Sequence, residues 1–159
     1  MRQPPKNRIA SEVKKAWKIT ASIYFIIFWI ILIIGFIFMR KYQLPIWPSV
    51  LSFVVLSIAT YLFIFVIPKL RWRRWRYEVF EQEVYIQHGM LIVTRTLVPM
   101  IRVQHVDTSQ GPILKKFGLA NLTISTAATI HEIPALKEEE ASYLRDQISA
   151  LARVDEDDV

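Results

Sequence analysis

The chain has 159 residues, 53% of them hydrophobic, with a net charge of +6 and no cysteine. The hydrophobic fraction exceeds that of an ordinary soluble domain, and most of the excess falls before residue 68. Without cysteine the chain can form no disulfide, thiolate metal site or cysteine nucleophile. The positive charge suits either nucleic acid or an anionic membrane surface, so the apolar segments must decide between these partners.

Two long apolar segments fill most of the first half of the chain. WKITASIYFIIFWIILIIGFIFM runs from Trp17 to Met39, and WPSVLSFVVLSIATYLFIFVI runs from Trp47 to Ile67. About 20 apolar residues suffice for a helix to cross a bilayer, and a short linker, RKYQLPI, joins the two. A cleaved signal peptide has a shorter apolar core, and so short a chain cannot surround two wholly apolar helices with protein. The sequence therefore predicts a transmembrane hairpin over residues 17–67.

Small and ionisable residues indicate how this hairpin is built and what it does not do. Ser49, Ser52, Ala59 and Thr60 fall along one face of the second span, which we expect to pack on the first. Lys18, at the edge of the first span, is the only charged residue in either. Because proton relays and ion pathways need ionisable groups inside the membrane, a transporter or channel is disfavoured.

Basic residues indicate the orientation. They are frequent before the first span, in a basic N-terminal segment over residues 1–16, and again just after the second span. The linker holds only Arg40 and Lys41. Since positive charge accumulates on the cytoplasmic side, we predict a cell-membrane protein with two spans and both termini in the cytoplasm.

A basic and aromatic juxtamembrane segment, residues 68–76, follows the second span. Pro68 is expected to end the helix. Such arginines and tryptophans could clamp nucleic acid, but beside a membrane span they favour contact with anionic phospholipid headgroups, with tryptophan rings in the interfacial belt. No nucleic-acid partner is expected. The candidate membrane-interface residues are Lys69, Arg71, Trp72, Arg73, Arg74, Trp75 and Arg76.

From Tyr77 the pattern changes to strands. Residues 84–88 and 91–98 alternate with period two around Gly89, and Leu122 and Ile124 alternate with polar neighbours. Such stretches predict half-buried antiparallel strands. Pro99 is expected at a bulge or on an edge strand.

The chain closes with a helix and a tail. Glu138, Glu139 and Glu140 suit a first helical turn. An apolar stripe then predicts a helix that caps the sheet, and the acidic tail, residues 153–159, is expected to fray. We therefore predict a small α+β domain over residues 77–152. The side chains expected to be buried against the sheet are Leu144, Ile148 and Leu151 of the helix, together with Phe117.

The segment IRVQHVDTSQGPILKKFGLANLTISTA, from Ile101 to Ala127, resembles the signature of bacterial pleckstrin-homology-like (PH-like) domains. The matching positions are Arg102, Gln104, Val106, Phe117 and Gly118. The hairpin before it is similar to that of the YdbS-like membrane proteins of this family. The resemblance implies a bent antiparallel sheet, or partly open barrel, capped by a C-terminal helix. It also implies modules that occur in several copies within one protein or in neighbouring proteins.

The motif has a physical reading of its own. Phe117 can plug the open end of a bent sheet, and Gly118 can supply the positive φ needed to enter the next strand. Arg102 and Gln104 are expected on one strand face, where they either fix a loop or bind a partner. Lys115 and Lys116 either lie solvated on the surface or bind a lipid headgroup. These four polar residues are the candidate partner-binding residues.

The sequence offers no group for chemistry. His88, His105 and His131 each stand alone, without a metal-binding motif, and we expect no cofactor, metal or small-molecule substrate. Three function classes remain. The favoured one is a non-enzymatic membrane-anchored scaffold that binds another PH-like-domain membrane protein. The alternative is a membrane-tethered sensor of lipid headgroups, and the third, a membrane enzyme, has no candidate catalytic residue.

Overall fold

The computed structural model describes residues 3–90 and 92–157, with side chains as far as Arg153. The chain divides into two compact units. One is the segment Lys14–Lys69, and the other combines Met1–Val13 with Leu70–Val159. The second unit is therefore discontinuous in sequence, and the first is inserted into it.

The inserted unit is a hairpin of two long helices. Helix α1 spans Val13–Lys41. The second helix runs from Trp47 to Arg74 and consists of α2 (Trp47–Tyr61), a π-helical turn (Leu62–Val66) and α3 (Ile67–Arg74). Both helices are long and apolar enough to cross a membrane. Their large apolar side chains point outward around most of the circumference, as a lipid solvent requires.

Pro68 does not end the second helix, which corrects the sequence prediction. The helix continues six residues further, to Arg74, after widening into the π-helical turn just before the proline. In that turn the Ile67 N–H donates to the Leu62 carbonyl, five residues earlier. A π turn separates the proline ring from the carbonyl that it would clash with in a regular α-helix. The helix can therefore continue past the proline.

The two helices of the hairpin meet where small and aromatic side chains alternate. The Trp29 Nε1–H donates to Thr60 Oγ1 (3.2 Å), and the Ser49 hydroxyl donates to Met39 Sδ (2.9 Å). Trp29 also packs edge-on against Phe53, with ring centroids 5.1 Å apart. The predicted contact face is thus confirmed at Ser49 and Thr60. Ser52, however, is exposed.

The second unit consists of two antiparallel sheets and a C-terminal helix. Sheet one has the order β1-β2-β3-β4, and sheet two has the order β5-β6-β7. Among the described residues no ladder joins β4 to β5, so the sheets do not close into a barrel. The strands are β1 (Asn7–Arg8), β2 (Arg76–Val79), β3 (Glu83–His88), β4 (Thr94–Pro99), β5 (Val103–Ser109), β6 (Leu119–Thr126) and β7 (Ile130–Lys137). A 3₁₀ turn (Met100–Arg102) links β4 to β5, helix α4 (Pro112–Lys116) precedes β6, and helix α5 (Glu138–Asp157) follows β7.

The strand patterns agree with the structure at β6 and differ at β3 and β4. Strand β4 begins only at Thr94, so Ile92 and Val93 of the predicted alternation precede it. Leu122 and Ile124 are fully buried, as predicted, and Pro99 ends an edge strand, where its missing N–H breaks no ladder bond. Strand β3 lies inside its sheet and buries four successive residues, Val84 to Gln87. The prediction of a half-buried strand at this position is therefore wrong. Leu91, part of the next predicted alternation, lies outside the described residues.

Helix α5 covers the sheet through part of its expected stripe. Leu144 and Ile148 are buried, as predicted, but Leu151 and Phe117 are only half-buried. Gly118 has the positive φ expected of it (+62°). Leu119, the residue after this turn, is buried. Leu119, and not Phe117, is therefore the core side chain at this position. The helical backbone also continues to Asp157, through most of the acidic tail that was expected to fray. Positions 158 and 159 of that tail lie outside the described residues.

The segment before the first span is part of this sheet domain. Asn7 and Arg8 pair with Tyr77 and Arg76 as strand β1. Two residues later the Ala10 N–H donates to the Ala135 carbonyl of β7 (3.1 Å). The N-terminal segment therefore connects sheet one to sheet two on one side of the domain, and the gap between β4 and β5 stays open on the other.

Candidate functional site

The seven candidate residues of the juxtamembrane segment fall into two groups. Three of them hold the domain together. The Trp72 Nε1–H donates to the Ile9 carbonyl (3.1 Å), and the Arg76 guanidinium donates to the Pro5 carbonyl (3.3 Å). The Trp75 ring is buried and stacks on His88 with centroids 5.2 Å apart. Trp75 is thus a core residue, unlike the interfacial side chain expected from the sequence.

The other four candidates are exposed cations. Lys69, Arg71, Arg73 and Arg74 lie on α3, the last two turns of the second helix. Positive charge at a helix C-terminus also complements the negative end of the helix dipole. Contact of these four residues with anionic headgroups remains a prediction.

The four candidate partner-binding residues separate into two pairs. Arg102 lies in the 3₁₀ turn before β5, and Gln104 lies in β5 beside a register shift between Val103 and His105. The expectation that both project from one strand face is therefore wrong, because Arg102 precedes the strand. Both side chains are nevertheless exposed. They line one groove of the sheet domain.

This groove, the β4–β5 groove, lies in the angle between the two sheets and has a volume of about 500 Å³. The end of β4, the 3₁₀ turn and the start of β5 form one wall, and the β6–β7 turn with His131 forms the other. Among its described lining residues there is no aspartate or glutamate, and Arg102 supplies a positive charge. Sequence reasoning found Arg102 and Gln104 but not the second wall, because the pairing of β5 with β6 brings that wall into place.

Lys115 and Lys116 lie apart from the groove. They end helix α4 and are exposed. Their cationic side chains sit in the last turn of a five-residue helix that Gly118 terminates. Neither lysine lines the β4–β5 groove.

A second groove follows the same strand on its helix side. It has a volume of about 310 Å³ and is lined by β5 together with Ser149, Ala152 and Arg153 of α5. Small helix side chains opposite the strand leave this space. Strand β5 is the edge of its three-stranded sheet, so its outer side lies between two grooves.

The buried polar groups are structural. The Tyr77 hydroxyl donates a hydrogen bond to Glu140 in the first turn of α5. Burial, and then the hydrogen bond to Glu140 and its negative charge, raise the pKa of Tyr77 above its ordinary value. The described residues contain no group of three side chains able to hold a metal ion, and none of their buried side-chain polar atoms lacks a partner. These contacts fix the fold and leave the grooves as the candidate functional surface.

Comparison with known proteins identifies a family and two relatives. The profile of the bacterial PH domain family matches residues 20–152. The UPF0699 transmembrane protein YdbS of Bacillus subtilis (strain 168) is 49% identical over 159 residues, which is 100% of both chains. The UPF0699 transmembrane protein YdbT of the same organism is 28% identical over 83 residues, which is 50% of this chain and 17% of that protein. No solved structure matches the chain significantly.

Proposed function

The chain belongs to the bacterial PH domain family, and we propose that this membrane protein is a non-enzymatic scaffold that binds another PH-like-domain membrane protein. The observation that carries the proposal is the exposed outer edge of β5, which pairs with no further strand among the described residues and has Arg102 and Gln104 beside it. An unpaired edge strand offers backbone donors and acceptors to a second chain. Two membrane spans confine both partners to a plane, which raises their effective concentration.

The relative YdbT suggests the class of partner. It is named as a transmembrane protein, and its matching segment covers 17% of its length. A larger transmembrane protein with a segment similar to this chain is what the scaffold proposal requires. Pairing of two similar domains also suits the β5 edge, since similar strands have matching lengths and twist.

The scaffold proposal predicts a stable hetero-complex. Mild solubilisation of native membranes, followed by purification of the tagged full chain, should recover a second membrane protein in fixed proportion. Arg102→Glu should weaken that complex while the variant keeps the thermal transition of the wild type, because the side chain is exposed. Recovery of a lone protomer or a homodimer, with Arg102→Glu indistinguishable from wild type, would count against the scaffold.

The proposed orientation places both termini in the cytoplasm. Two observations support it: the excess of basic residues outside the hairpin, and the membership of residues 7–10 and 76–137 in one pair of sheets. Residues that share a sheet must emerge on the same side of the membrane. A cysteine at position 42 (Tyr42→Cys) should react with an impermeant thiol reagent added to intact cells, and one at position 142 (Ser142→Cys) should not. The opposite labelling would reverse the orientation.

The alternative function, a lipid-headgroup sensor, rests on the exposure of Lys115 and Lys116. It predicts that the full chain in neutral-lipid nanodiscs binds a soluble inositol phosphate, and that the double variant Lys115→Glu/Lys116→Glu does not. The full chain is needed because residues 7–10 belong to the sheet domain. Binding that is equal for wild type and double variant would remove the sensor hypothesis.

A further inference from the structure

We propose that the β4–β5 groove is the docking site for a partner polypeptide segment that presents a bulky apolar side chain next to a carboxylate. This inference rests on the scaffold function proposed above and specifies where the partner binds and which chemistry it brings. It goes beyond the edge of β5, because the occupant contacts both walls of the groove. Four features of the groove lead to it.

The first feature is shape. A volume of about 500 Å³ lies within the range of about 300–1,000 Å³ for pockets that enclose a ligand. The N-terminal segment joins the two sheets on the opposite side of the domain. On the groove's side, the described strands β4 and β5 are not joined by any ladder. The groove is therefore a gap that the chain itself does not fill.

The second feature is a preformed wall. The β6–β7 turn is fixed by its own hydrogen bonds, from the Thr126 N–H to the Thr129 carbonyl (2.9 Å) and from the Thr129 N–H to Thr126 Oγ1 (3.0 Å). His131 Nε2 lies 2.9 Å from Thr129 Oγ1. Between them Ala127 and Ala128 are exposed and present only methyl groups to the groove. This wall is thus already ordered in the free protein, so a partner that binds there loses little conformational entropy in ordering it.

The third feature is exposed apolar surface around the groove. Leu97 and Ile101, both lining residues, are 46% and 56% exposed. Ile130, next to the second wall, is 71% exposed. Among the other described residues of the sheet domain, the large apolar side chains exposed to this degree are Ile92 (83%) and Tyr143 (67%). Exposed apolar residues gathered around a concave site are typical of protein interfaces, and bulky apolar anchors in such pockets carry most of the binding energy.

The fourth feature is charge, which selects the occupant. The Arg102 guanidinium has no ion-pair or hydrogen-bond partner among the described residues, and the described lining residues include no carboxylate. Guanidinium groups favour bidentate pairing with carboxylates. A segment with an aspartate or glutamate beside its apolar anchor therefore satisfies both the cation and the apolar rim. A basic segment would be repelled.

The test uses the absence of cysteine in the chain. A benzophenone-maleimide label on Ala128→Cys, in native membranes carrying the full-length protein, should crosslink to a polypeptide segment that contains a carboxylate beside a bulky apolar residue. The same label on Ala150→Cys, an exposed alanine of α5, is the matched control and should capture at least about tenfold less of it. Arg102→Glu should lower the yield at position 128 by a similar factor, while Arg102→Lys retains most of it.

Several results would overturn the docking site. These are adducts with lipid only, adducts with a second copy of this chain, captured segments without a carboxylate, a yield indifferent to Arg102→Glu, and no adduct above the control. Crosslinking in intact membranes does not depend on whether a complex survives purification. Its failure is therefore distinguishable from failure of the scaffold function.

A second arm blocks the groove. Ala128→Trp places a large ring in it and should lower recovery of the purified hetero-complex by about tenfold or more, while Ala150→Trp leaves recovery within about twofold of wild type. If Ala128→Trp lowers the thermal transition, the smaller Ala127→Leu replaces it. A hetero-complex that withstands these groove substitutions would refute the docking site and leave the scaffold function in place.

Discussion

The hairpin and the sheet domain treat the same residue types in opposite ways. In the hairpin, Ile34 and Ile37 are 61% and 62% exposed, whereas Ile148 and Ile133 in the domain have no exposed surface. The difference shows that burying an apolar side chain inside the protein adds stability only where the side chain would otherwise contact water. Lipid solvates an apolar side chain as well as a protein interior does, so the hairpin gains little from covering it.

The two regions also differ in which parts of the chain their polar contacts connect. In the domain, polar groups tie distant parts of the sequence together. Asn121 Oδ1 accepts from the Ala135 N–H (2.9 Å), and Tyr77 joins Glu140 across 63 residues. In the hairpin, the contact of Trp29 with Thr60 joins two helices that the linker already holds side by side. The domain therefore depends on individual side chains more than the hairpin does.

The largest effect is expected for core truncation. Ile148→Ala and Leu144→Ala should each lower the free energy of unfolding by about 2–5 kcal/mol, because each leaves a cavity between α5 and the sheets. Ile30→Ala, a half-exposed isoleucine of the hairpin, is the matched control and should have little effect. Thermal unfolding of the full chain in detergent, followed by near-ultraviolet circular dichroism, measures all three. Equal effects in the two regions would remove the distinction between them.

The next effect concerns the segment before the first span. Ile9 is 2% exposed within the sheet domain, so Ile9→Ala should destabilise the domain by about 2 kcal/mol, at the low end of the range for such truncations. The smaller value is expected because Ile9 lies just outside the two-residue strand β1, where few ladder bonds hold the backbone and the chain can relax around the cavity. The exposed neighbour Asn7 provides the control Asn7→Ala. If the two variants unfold alike, the N-terminal segment is not part of the domain's core.

Tyr77→Phe should cost about 1–2 kcal/mol, because Glu140 loses its hydrogen-bond donor. The pKa of Tyr77 is raised by burial and by Glu140. A tyrosine that keeps its proton more tightly when folded contributes stability that is intact below its unfolded pKa of about 10 and is lost as the pH rises above that value. The wild type should therefore lose stability above about pH 10 more steeply than the variant. Parallel curves of unfolding free energy against pH would contradict this assignment.

The smallest effect is expected inside the hairpin. Thr60→Val removes the acceptor for the Trp29 indole, and side-chain hydrogen bonds between membrane helices contribute about 0.6 kcal/mol on average. The Ser57 hydroxyl donates within its own helix, so Ser57→Ala should change the stability of the hairpin less still. Steric trapping of the hairpin in bicelles can resolve such differences. A loss comparable with that of Ile148→Ala would show that the hairpin depends on single polar contacts as the domain does.

The amino-acid sequence by itself determined the features that depend on local composition and period. Two charge-poor apolar runs specify helices long and apolar enough to cross a membrane. The stripe through Leu144 and Ile148 specifies a helix that lies on a sheet, and Gly118 specifies a positive-φ turn. Each of these follows from a solvent preference or a backbone restriction that acts over a few residues.

The tertiary structure alone decided what depends on pairing across long separations. Residues 7–10 join the two sheets, although the hairpin separates them from their partners, and Ala135 adopts a positive φ (53°) in β7 while its carbonyl accepts from Ala10. Trp75 turned inward because His88 provides a stacking surface. The β4–β5 groove exists because β5 pairs with β6 and not with β4. Such contacts leave no periodic signal in the chain, since strand pairing is chosen by the packing of the whole domain and not by neighbours in sequence.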